Sequence, residues 1–220
     1  MRRRRTRQFA VVGLGRFGAS VAETLYRLGQ EVLAVDTSEE RVQEMAPLVT
    51  HAVQADATDE NAMRAIGIRN FDVVVVAIGE IEASILATSV LKGLGVPYIV
   101  AKALSDLHGQ VLSRVGADRV IYPERDMGVR VAHNLLSGNL IDYIELAPGY
   151  SIIEVVAKDP FVGKTLRQLD FRAKYGIHVL ALRRGDEVQM APSPDALIQP
   201  GDVLVAMGEN DRLEELETLP

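Results

Sequence analysis

Short apolar runs alternate with amphipathic segments over the first half of the chain. All but the third run are apolar without strict alternation, which is typical of strands buried on both faces of a sheet. The runs predict strands at 9–12, 31–35, 51–54, 73–77, 98–101 and 119–121. Between them, Val21, Leu25 and Leu28 recur on one helix face. Further helices are predicted over 59–66, 83–94 and 106–115. Six β/α units in this order predict an α/β domain, a Rossmann-like doubly wound parallel sheet over residues 8–122.

Two helix boundaries are predicted from local signals. The second helix is expected to start at a capping box, with Thr37 at the N-cap and Glu40 three residues later. After the sixth strand, Met127–Leu136 predicts a helix that has no further strand to reach, and it ends at Ser137–Asn139. Residues 123–140 are therefore predicted to form a crossover helix or linker.

The pattern changes after about Tyr143, where short apolar runs are separated by turn residues. Strands are predicted at 152–157, 178–183, 187–190 and 203–207, and helices at 165–169 and 210–219. Residues 141–220 are thus expected to form a small α+β domain. A domain of this size gains from burying surface against a second copy, so we expect a homo-oligomer.

Composition and charge restrict the partners. The net charge of −6, the aromatic content of 5% and the absence of Trp argue against nucleic acid. There are no cysteines, and hence no disulfides. The longest apolar runs, such as 73–79, are too short to cross a bilayer. We expect a cytoplasmic protein. The basic run in residues 1–7, Arg2–Arg5 and Arg7, is interpreted as a solvated flexible tail or as a segment attracted to an anionic surface.

A glycine motif links the first predicted strand to the first helix. Gly13 permits the tight turn, Gly15 lets the backbone approach phosphates, and Gly18 lets the helix pack on the sheet. Asp36 ends the second strand, where its carboxylate can accept hydrogen bonds from ribose hydroxyls and would repel a 2′-phosphate. This arrangement predicts a site for an adenine nucleotide other than NADP.

Two further features refine that prediction. Arg16 lies inside the motif, where a guanidinium beside the terminal phosphates would suit ATP or ADP better than a dinucleotide. Asp56–Thr58 follows the third strand at the expected adenine end, and it could equally form a helix cap.

Catalytic constellations are not recognisable in the sequence. His51 and His178 fall on predicted strands, and His108 and His133 fall on predicted helices. The sequence has no His-Glu-x-x-His metal motif, no Gly-x-Ser-x-Gly elbow and no P-loop. We therefore expect a protein that binds a nucleotide and is not an enzyme.

The chain resembles the cytosolic regulatory subunits of Ktr-type bacterial potassium transporters, in the TrkA or RCK (regulator of potassium conductance) group. The N-terminal resemblance is carried by residues 8–18, 31–36, 67–79 and 116–128, and the C-terminal resemblance by residues 163–176 and 200–202. The resemblance implies an octameric ring of dimers bound to a membrane-embedded potassium-translocating subunit at the inner face of the cell membrane. It also implies that ATP and ADP bind the N-terminal domain and favour different ring shapes.

The resemblance further implies roles for individual residues. The nucleotide would be held by Gly13, Gly15, Arg16, Phe17, Gly18, Asp36, Asp56 and Ala57, with Ile78, Gly79 and Glu80 beside it. Lys102 and Glu124 would lie near the terminal phosphate. Glu124 would help to hold a divalent cation such as Mg²⁺ between protomers, although the two side chains could instead form a surface ion pair. In the C-terminal domain, cyclic di-AMP would bind at Arg172, Ile177, His178 and Pro192.

Alternative functions stay open from the sequence. An NAD(H)-responsive regulator of the TrkA kind would have the same glycine and aspartate pattern. A small NAD-dependent oxidoreductase would need a proton-transfer residue facing the nicotinamide. A redox-sensing transcriptional repressor would need a basic pair of DNA-reading helices, which the sequence does not show.

Overall fold

The structure is a computed structural model that describes residues 7–136 and 140–218. The basic run Arg2–Arg5 and the predicted helix end at Ser137–Asn139 lie outside the described residues. The chain divides into two compact units, one reaching Glu124 and one beginning at Arg125.

The first unit is built on a six-stranded parallel sheet. Its strands are β1 (Gln8–Val12), β2 (Glu31–Asp36), β3 (His51–Gln54), β4 (Val73–Val76), β5 (Ile99–Lys102) and β6 (Arg119–Ile121). The spatial order is β3-β2-β1-β4-β5-β6, with every neighbouring pair parallel. This confirms the predicted doubly wound sheet. The direction of winding reverses between β1 and β4, which opens a crevice at the carboxyl ends of these strands.

Helices connect the strands and cover both faces of the sheet. They are α1 (Arg16–Arg27), α2 (Glu39–Met45), α3 (Glu60–Ala65), α4 (Ile81–Gly93) and α5 (Asp106–Val115). Helix α6 (Pro123–Leu136) follows β6, and most of its residues belong to the second unit. Short 3₁₀ helices occupy Ala46–Leu48 and Ile68–Asn70. Alternate residues of the strands enter two cores: Leu33 and Val35 pack with Met63 and Leu91, whereas the neighbouring Ala34 packs with other residues near α1 and α2. Burial on both faces explains the continuous apolar runs.

The second unit is built on a five-stranded antiparallel sheet. Its strands are β7 (Leu140–Ala147), β8 (Tyr150–Val156), β9 (His178–Arg184), β10 (Glu187–Met190) and β11 (Val203–Glu209), in the order β10-β9-β11-β8-β7. Its helices are α7 (Leu166–Leu169), α8 (Phe171–Tyr175) and α9 (Asn210–Thr218). The unit has its own core, in which Phe161 packs edge-on against Phe171 with ring centroids 5.2 Å apart. The α+β prediction is confirmed.

Several local predictions were wrong. Ser38, and not Thr37, is the N-cap of α2, because the Ser38 hydroxyl accepts a hydrogen bond from the Arg41 amide. Helix α6 begins at Pro123, four residues before the predicted Met127, since proline is well tolerated at the first helical position. Strand β7 and helix α8 were not predicted. Across the described ranges, no helix combines the length and the apolar character that crossing a bilayer requires.

Candidate functional site

A cavity of about 510 Å³ lies at the carboxyl ends of the parallel strands. Of the residues predicted to hold the nucleotide, all but Gly18 line it: Gly13, Gly15, Arg16, Phe17, Asp36, Asp56, Ala57, Ile78, Gly79, Glu80, Lys102 and Glu124. These residues come from the ends of strands β1 to β5 and from the starts of α1, α4 and α6, so the fold brings together residues that are more than 100 positions apart in sequence.

The glycines of the motif contribute in different ways. Gly13 has φ +92°, and a Cβ there would lie 2.9 Å from the backbone of Ala77 and of Ile78. A Cβ on Gly18 would lie 1.8 Å from the carbonyl oxygen of Gly13. Gly18 therefore packs directly against the backbone of the turn at Gly13, which explains why it does not line the cavity. A Cβ on Gly15 would meet no protein atom within 4 Å, so the hydrogen at this position leaves open space for a ligand.

The first turn of α1 presents free donors to this space. The first hydrogen bond of the helix runs from the Ala19 amide to the Gly15 carbonyl over 2.9 Å. The amides of residues 16–18 precede it and have no acceptor within the helix. Gly15 is the N-cap and provides no side-chain cap, and no acidic residue lies in the first turn. Such a helix start favours a bound anion, and phosphate is the usual one.

Asp36 lies at the end of β2 and is only 7% exposed. The Leu14 amide donates to its Oδ2 over 2.6 Å, and the Ser38 amide donates to its Oδ1 over 2.9 Å. Arg41 Nη1 lies 3.5 Å from Oδ2. Asp36 thus ties the glycine turn to the end of β2. Because each carboxylate oxygen can accept more than one hydrogen bond, it retains capacity for ribose hydroxyls.

Lys102, Glu124 and Arg16 form a charged part of the cavity lining. Lys102 is 8% exposed, and its ammonium donates to Glu124 Oε1 over 2.8 Å. The same ammonium lies 6.0 Å from the centre of the Phe17 ring. The hydrogen bond from Lys102, with the nearby charge of Arg16, lowers the pKa of Glu124. The ion pair between Lys102 and Glu124, which the sequence analysis gave as an alternative to cation binding, is therefore present, and both residues line the cavity.

The carboxylates of Asp56 and Glu80 accept hydrogen bonds from residues two or three positions later in the chain. Asp56 Oδ1 accepts hydrogen bonds from the Thr58 amide and the Thr58 hydroxyl, which lower the pKa of Asp56. The N-cap of α3 is Asp59, so the interpretation of Asp56–Thr58 as a helix cap was wrong. Glu80 is the N-cap of α4, and its hydrogen bonds with the amides of residues 82 and 83 lower its pKa.

Sequence reasoning missed some of the lining. Thr37 and Arg41 line the cavity together with Ala83 and apolar residues of the strand ends. Thr58 lines it as well, as expected from the segment Asp56–Thr58. The distance between Arg41 and Asp36 depends on where α2 begins. The sequence analysis placed the N-cap one residue too early, and Arg41 was not predicted.

The arrangement fits a nucleotide. The lining combines a helix start without acidic residues and the cations of Arg16 and Lys102, which suit phosphates, with the Asp36 carboxylate, which suits hydroxyl groups. In the part of the chain that the structure describes, no three His, Asp or Glu side chains converge in a way that could hold a metal ion. Cation binding at Glu124 stays a prediction.

A second cavity, of about 400 Å³, lies in the C-terminal unit. Arg172, Ile177, His178 and Pro192 all line it, together with Leu166, Arg167, Asp170, Phe171, Val179 and Pro194. The structure thus brings together the residues predicted for cyclic di-AMP, with Ile177 fully buried and His178 exposed. That ligand stays a prediction.

The chain is similar to known proteins over nearly its whole length. The TrkA-N domain model matches residues 9–123, and the TrkA-C domain model matches residues 150–219. The chain is 48% identical over 212 residues to the Ktr system potassium uptake protein C of Bacillus subtilis (strain 168), covering 96% of each chain. It is 46% identical over 218 residues to the Ktr system potassium uptake protein A of the same strain, covering 99% of this chain and 98% of the relative.

A solved structure shares part of this architecture. It is the crystal structure of GsuK bound to ADP, with a TM-score of 0.50 and 25% identity, covering 60% of this chain and 34% of that chain. The two domain models and the near full-length identity to Ktr system proteins show that this chain belongs to the Ktr/TrkA family of potassium-uptake proteins.

Proposed function

We propose that this protein is the regulatory subunit of a Ktr-type potassium transporter, and that it binds ATP and ADP in the 510 Å³ cavity. The observation that carries the proposal is the open space beside Gly15, where a bare helix start meets the cations of Arg16 and Lys102. GsuK, one structure of which is bound to ADP, is similar to 60% of this chain.

Each residue has a role in this proposal. The amides of the α1 start and the guanidinium of Arg16 receive the phosphates. Asp36 accepts hydrogen bonds from the ribose. Lys102 and Glu124 lie near the terminal phosphate, and Glu124 is the proposed ligand of a divalent cation. The remaining lining groups, at residues 56, 57 and 78–80, surround the adenosine.

The output of binding is a change of conformation. A ligand shifts an equilibrium between two states only through its different affinity for them. ATP and ADP differ by one phosphate, so the groups at the phosphate end are the ones that can respond to the difference. We propose that dimers of this chain assemble into an octameric ring at the inner face of the membrane. Rotations of its domains would then open or close a membrane-embedded partner.

Calorimetric titration of the full chain with ATP, ADP, NADH and NADPH tests the proposal. We expect ATP and ADP to bind more tightly than either dinucleotide. In the Arg16→Gln variant, the affinity for ATP should fall about tenfold more than the affinity for ADP, because a charge-assisted hydrogen bond to the terminal phosphate is lost.

The matched control is Arg69→Gln, which removes the same charge from an exposed position outside the cavity. It should leave both affinities unchanged. Tightest binding of NADH would favour the NAD(H)-responsive alternative, and consumption of NADH with a substrate would favour an oxidoreductase. Equal losses of ATP and ADP affinity in Arg16→Gln would remove Arg16 from the discrimination between them.

A further inference from the structure

Arg41 lines the nucleotide cavity beside Asp36 and Thr37. It is the third residue of α2, and its amide donates to the hydroxyl of the N-cap Ser38 over 3.4 Å. The Ser38 amide donates in turn to Asp36 Oδ1 over 2.9 Å. Two consecutive hydrogen bonds therefore fix the backbone of Arg41 relative to the Asp36 carboxylate.

The guanidinium of Arg41 is close to Asp36 without being hydrogen-bonded to it. Arg41 Nη1 lies 3.5 Å from Asp36 Oδ2, which is longer than a good hydrogen bond. The side chain of Arg41 is 53% exposed, whereas that of Asp36 is 6% exposed. A guanidinium carries five N–H donors. The donors of Arg41 can therefore serve a ligand in the cavity while the charge of the guanidinium stays next to Asp36.

The helix to which Arg41 belongs does not favour a cation at this position. A positive charge in the first turn faces the positive end of the helix dipole, which is unfavourable. Glu39 and Glu40, the two residues before Arg41, have the sign of charge that the dipole favours. The favourable electrostatic interaction of Arg41 therefore comes from the side of the cavity, where Asp36 lies.

Asp36 and Arg41 together place an acceptor beside a donor in the cavity lining. An ionised carboxylate only accepts hydrogen bonds, and a guanidinium only donates them. A hydroxyl group does both, so one hydroxyl can donate to Asp36 and accept from Arg41 at the same time. A phosphate would be repelled by Asp36, and a carbon-bound hydrogen would satisfy neither side chain. The pair is therefore selective for a hydroxyl group.

We propose that Arg41 is a specificity-determining residue for the ribose of the bound nucleotide. Its guanidinium donates a hydrogen bond to a ribose hydroxyl whose proton is accepted by Asp36. This inference rests on the nucleotide binding proposed above. Because the contact is made to the sugar, Arg41 contributes equally to the binding of ATP and ADP, in contrast to the role proposed for Arg16.

Calorimetric titration of the full chain with ATP and with 2′,3′-dideoxy-ATP tests the proposal, in the wild type and in Arg41→Met. Methionine keeps much of the length of the side chain but has neither the donors nor the charge. We expect the affinity for ATP to fall about tenfold in Arg41→Met, because a charge-assisted hydrogen bond is lost. The affinity for dideoxy-ATP should change by less than about twofold, since the hydroxyls that Arg41 contacts are already missing.

Two further variants separate a ligand contact from an effect on the fold. Arg64→Met is the matched control, because Arg64 is an exposed arginine of the short helix α3 that pairs with Glu60 and lies outside the cavity. It should leave both affinities unchanged. Arg41→Lys restores a cationic donor, and most of the affinity for ATP should return with it. In Arg41→Met, the affinity for ADP should fall by the same factor as the affinity for ATP.

Equal losses of ATP and dideoxy-ATP affinity in Arg41→Met would overturn the proposal, since the side chain would then act on the base, on the phosphates or on the fold. Unchanged affinity for ATP in Arg41→Met would overturn it as well. Either result leaves the nucleotide function standing. If the wild type bound no ATP, the nucleotide function would fail together with the role of Arg41, so the two failures are distinguishable.

Discussion

At the scale of single residues, the glycine motif divides into a structural part and a part facing the ligand. A methyl group on Gly18 would overlap the Gly13 carbonyl oxygen, whereas a methyl group on Gly15 would enter empty space. Gly15 also has φ −65° and ψ 179°, a conformation open to any residue. The protein does not need glycine at this position for its own packing, and the proposed nucleotide is a physical reason for keeping the space beside it open.

This difference leads to a prediction on stability. Gly18→Ala should lower the free energy of unfolding by about 3 kcal/mol, the upper part of the range for overpacking, because the clash is with backbone. Gly15→Ala should leave the unfolding temperature nearly unchanged while weakening nucleotide binding. Thermal denaturation of both variants measures the effect, and Gly93→Ala, on α4 with no atom within 4 Å of its Cβ, is the control. Similar unfolding temperatures for the Gly18 and Gly93 variants would contradict the argument.

The sequence could group some residues of the candidate site, and others came together only in the folded structure. Gly13, Gly15 and Arg16 are neighbours in sequence, so a local motif was enough to group them. Lys102 and Glu124 entered through family resemblance, and their 2.8 Å ion pair appears only when β5 and α6 are in place. Arg41 was missed because its approach to Asp36 depends on the exact start of α2.

At the scale of elements, the turn between β5 and α5 is organised by a buried histidine. His108 is 3% exposed, and its Nδ1 accepts a hydrogen bond from the Leu104 amide over 3.3 Å. The His108 amide in turn donates to the hydroxyl of Ser105, the N-cap of α5. Burial lowers the pKa of His108, and the charge of Glu80 opposes this only in part. His108 therefore stabilises the turn in its neutral form.

Acidification should consequently weaken this turn. The unfolded chain binds a proton at His108 near the ordinary pKa of 6.5, and the folded chain binds it only at lower pH. Stability is thus fully present above about pH 6.5 and falls as the pH drops below that value. Between about pH 7.5 and about pH 5.5, the unfolding temperature of the wild type should decline more steeply than that of His108→Gln. His51→Gln, at an exposed position on β3, is the control, and equal slopes for the wild type and His108→Gln would exclude this role.

The elements also show where sequence patterns suffice. The parallel strands were predictable because burial on both faces leaves uninterrupted apolar runs such as Val73–Val76. Strand β7 was missed because its alternating pattern begins inside the segment interpreted as a linker, and because Ile144 and Leu146 are exposed while Tyr143 is buried. Both carboxylate oxygens of its Asp142 accept a hydrogen bond from Nη2 of Arg130 in α6, a pairing that no local pattern indicates.

In the molecule as a whole, the two compact units have separate cavities and separate cores. In the second unit, Asp202 is completely buried and receives Arg184 Nε and Nη2, each over 2.8 Å. The Gln199 amide also donates to Asp202 Oδ2. The Arg184 guanidinium is the main reason why the pKa of Asp202 is lowered. Loss of Arg184 would leave a buried carboxylate with a single amide donor.

Scanning calorimetry of the full chain should therefore resolve two transitions that respond to different changes. Arg184→Gln should destabilise the C-terminal unit by about 2 kcal/mol, which lowers its transition by roughly 10 °C, and should leave the N-terminal transition in place. ADP at about 100 times its dissociation constant should stabilise the N-terminal unit by about 2.7 kcal/mol without moving the other transition. Arg167→Gln, which breaks an exposed pair with Asp195, is the control and should move neither. If Arg184→Gln and ADP both shifted one common transition, the units would unfold as a single body, and nucleotide binding would be coupled to the C-terminal fold itself.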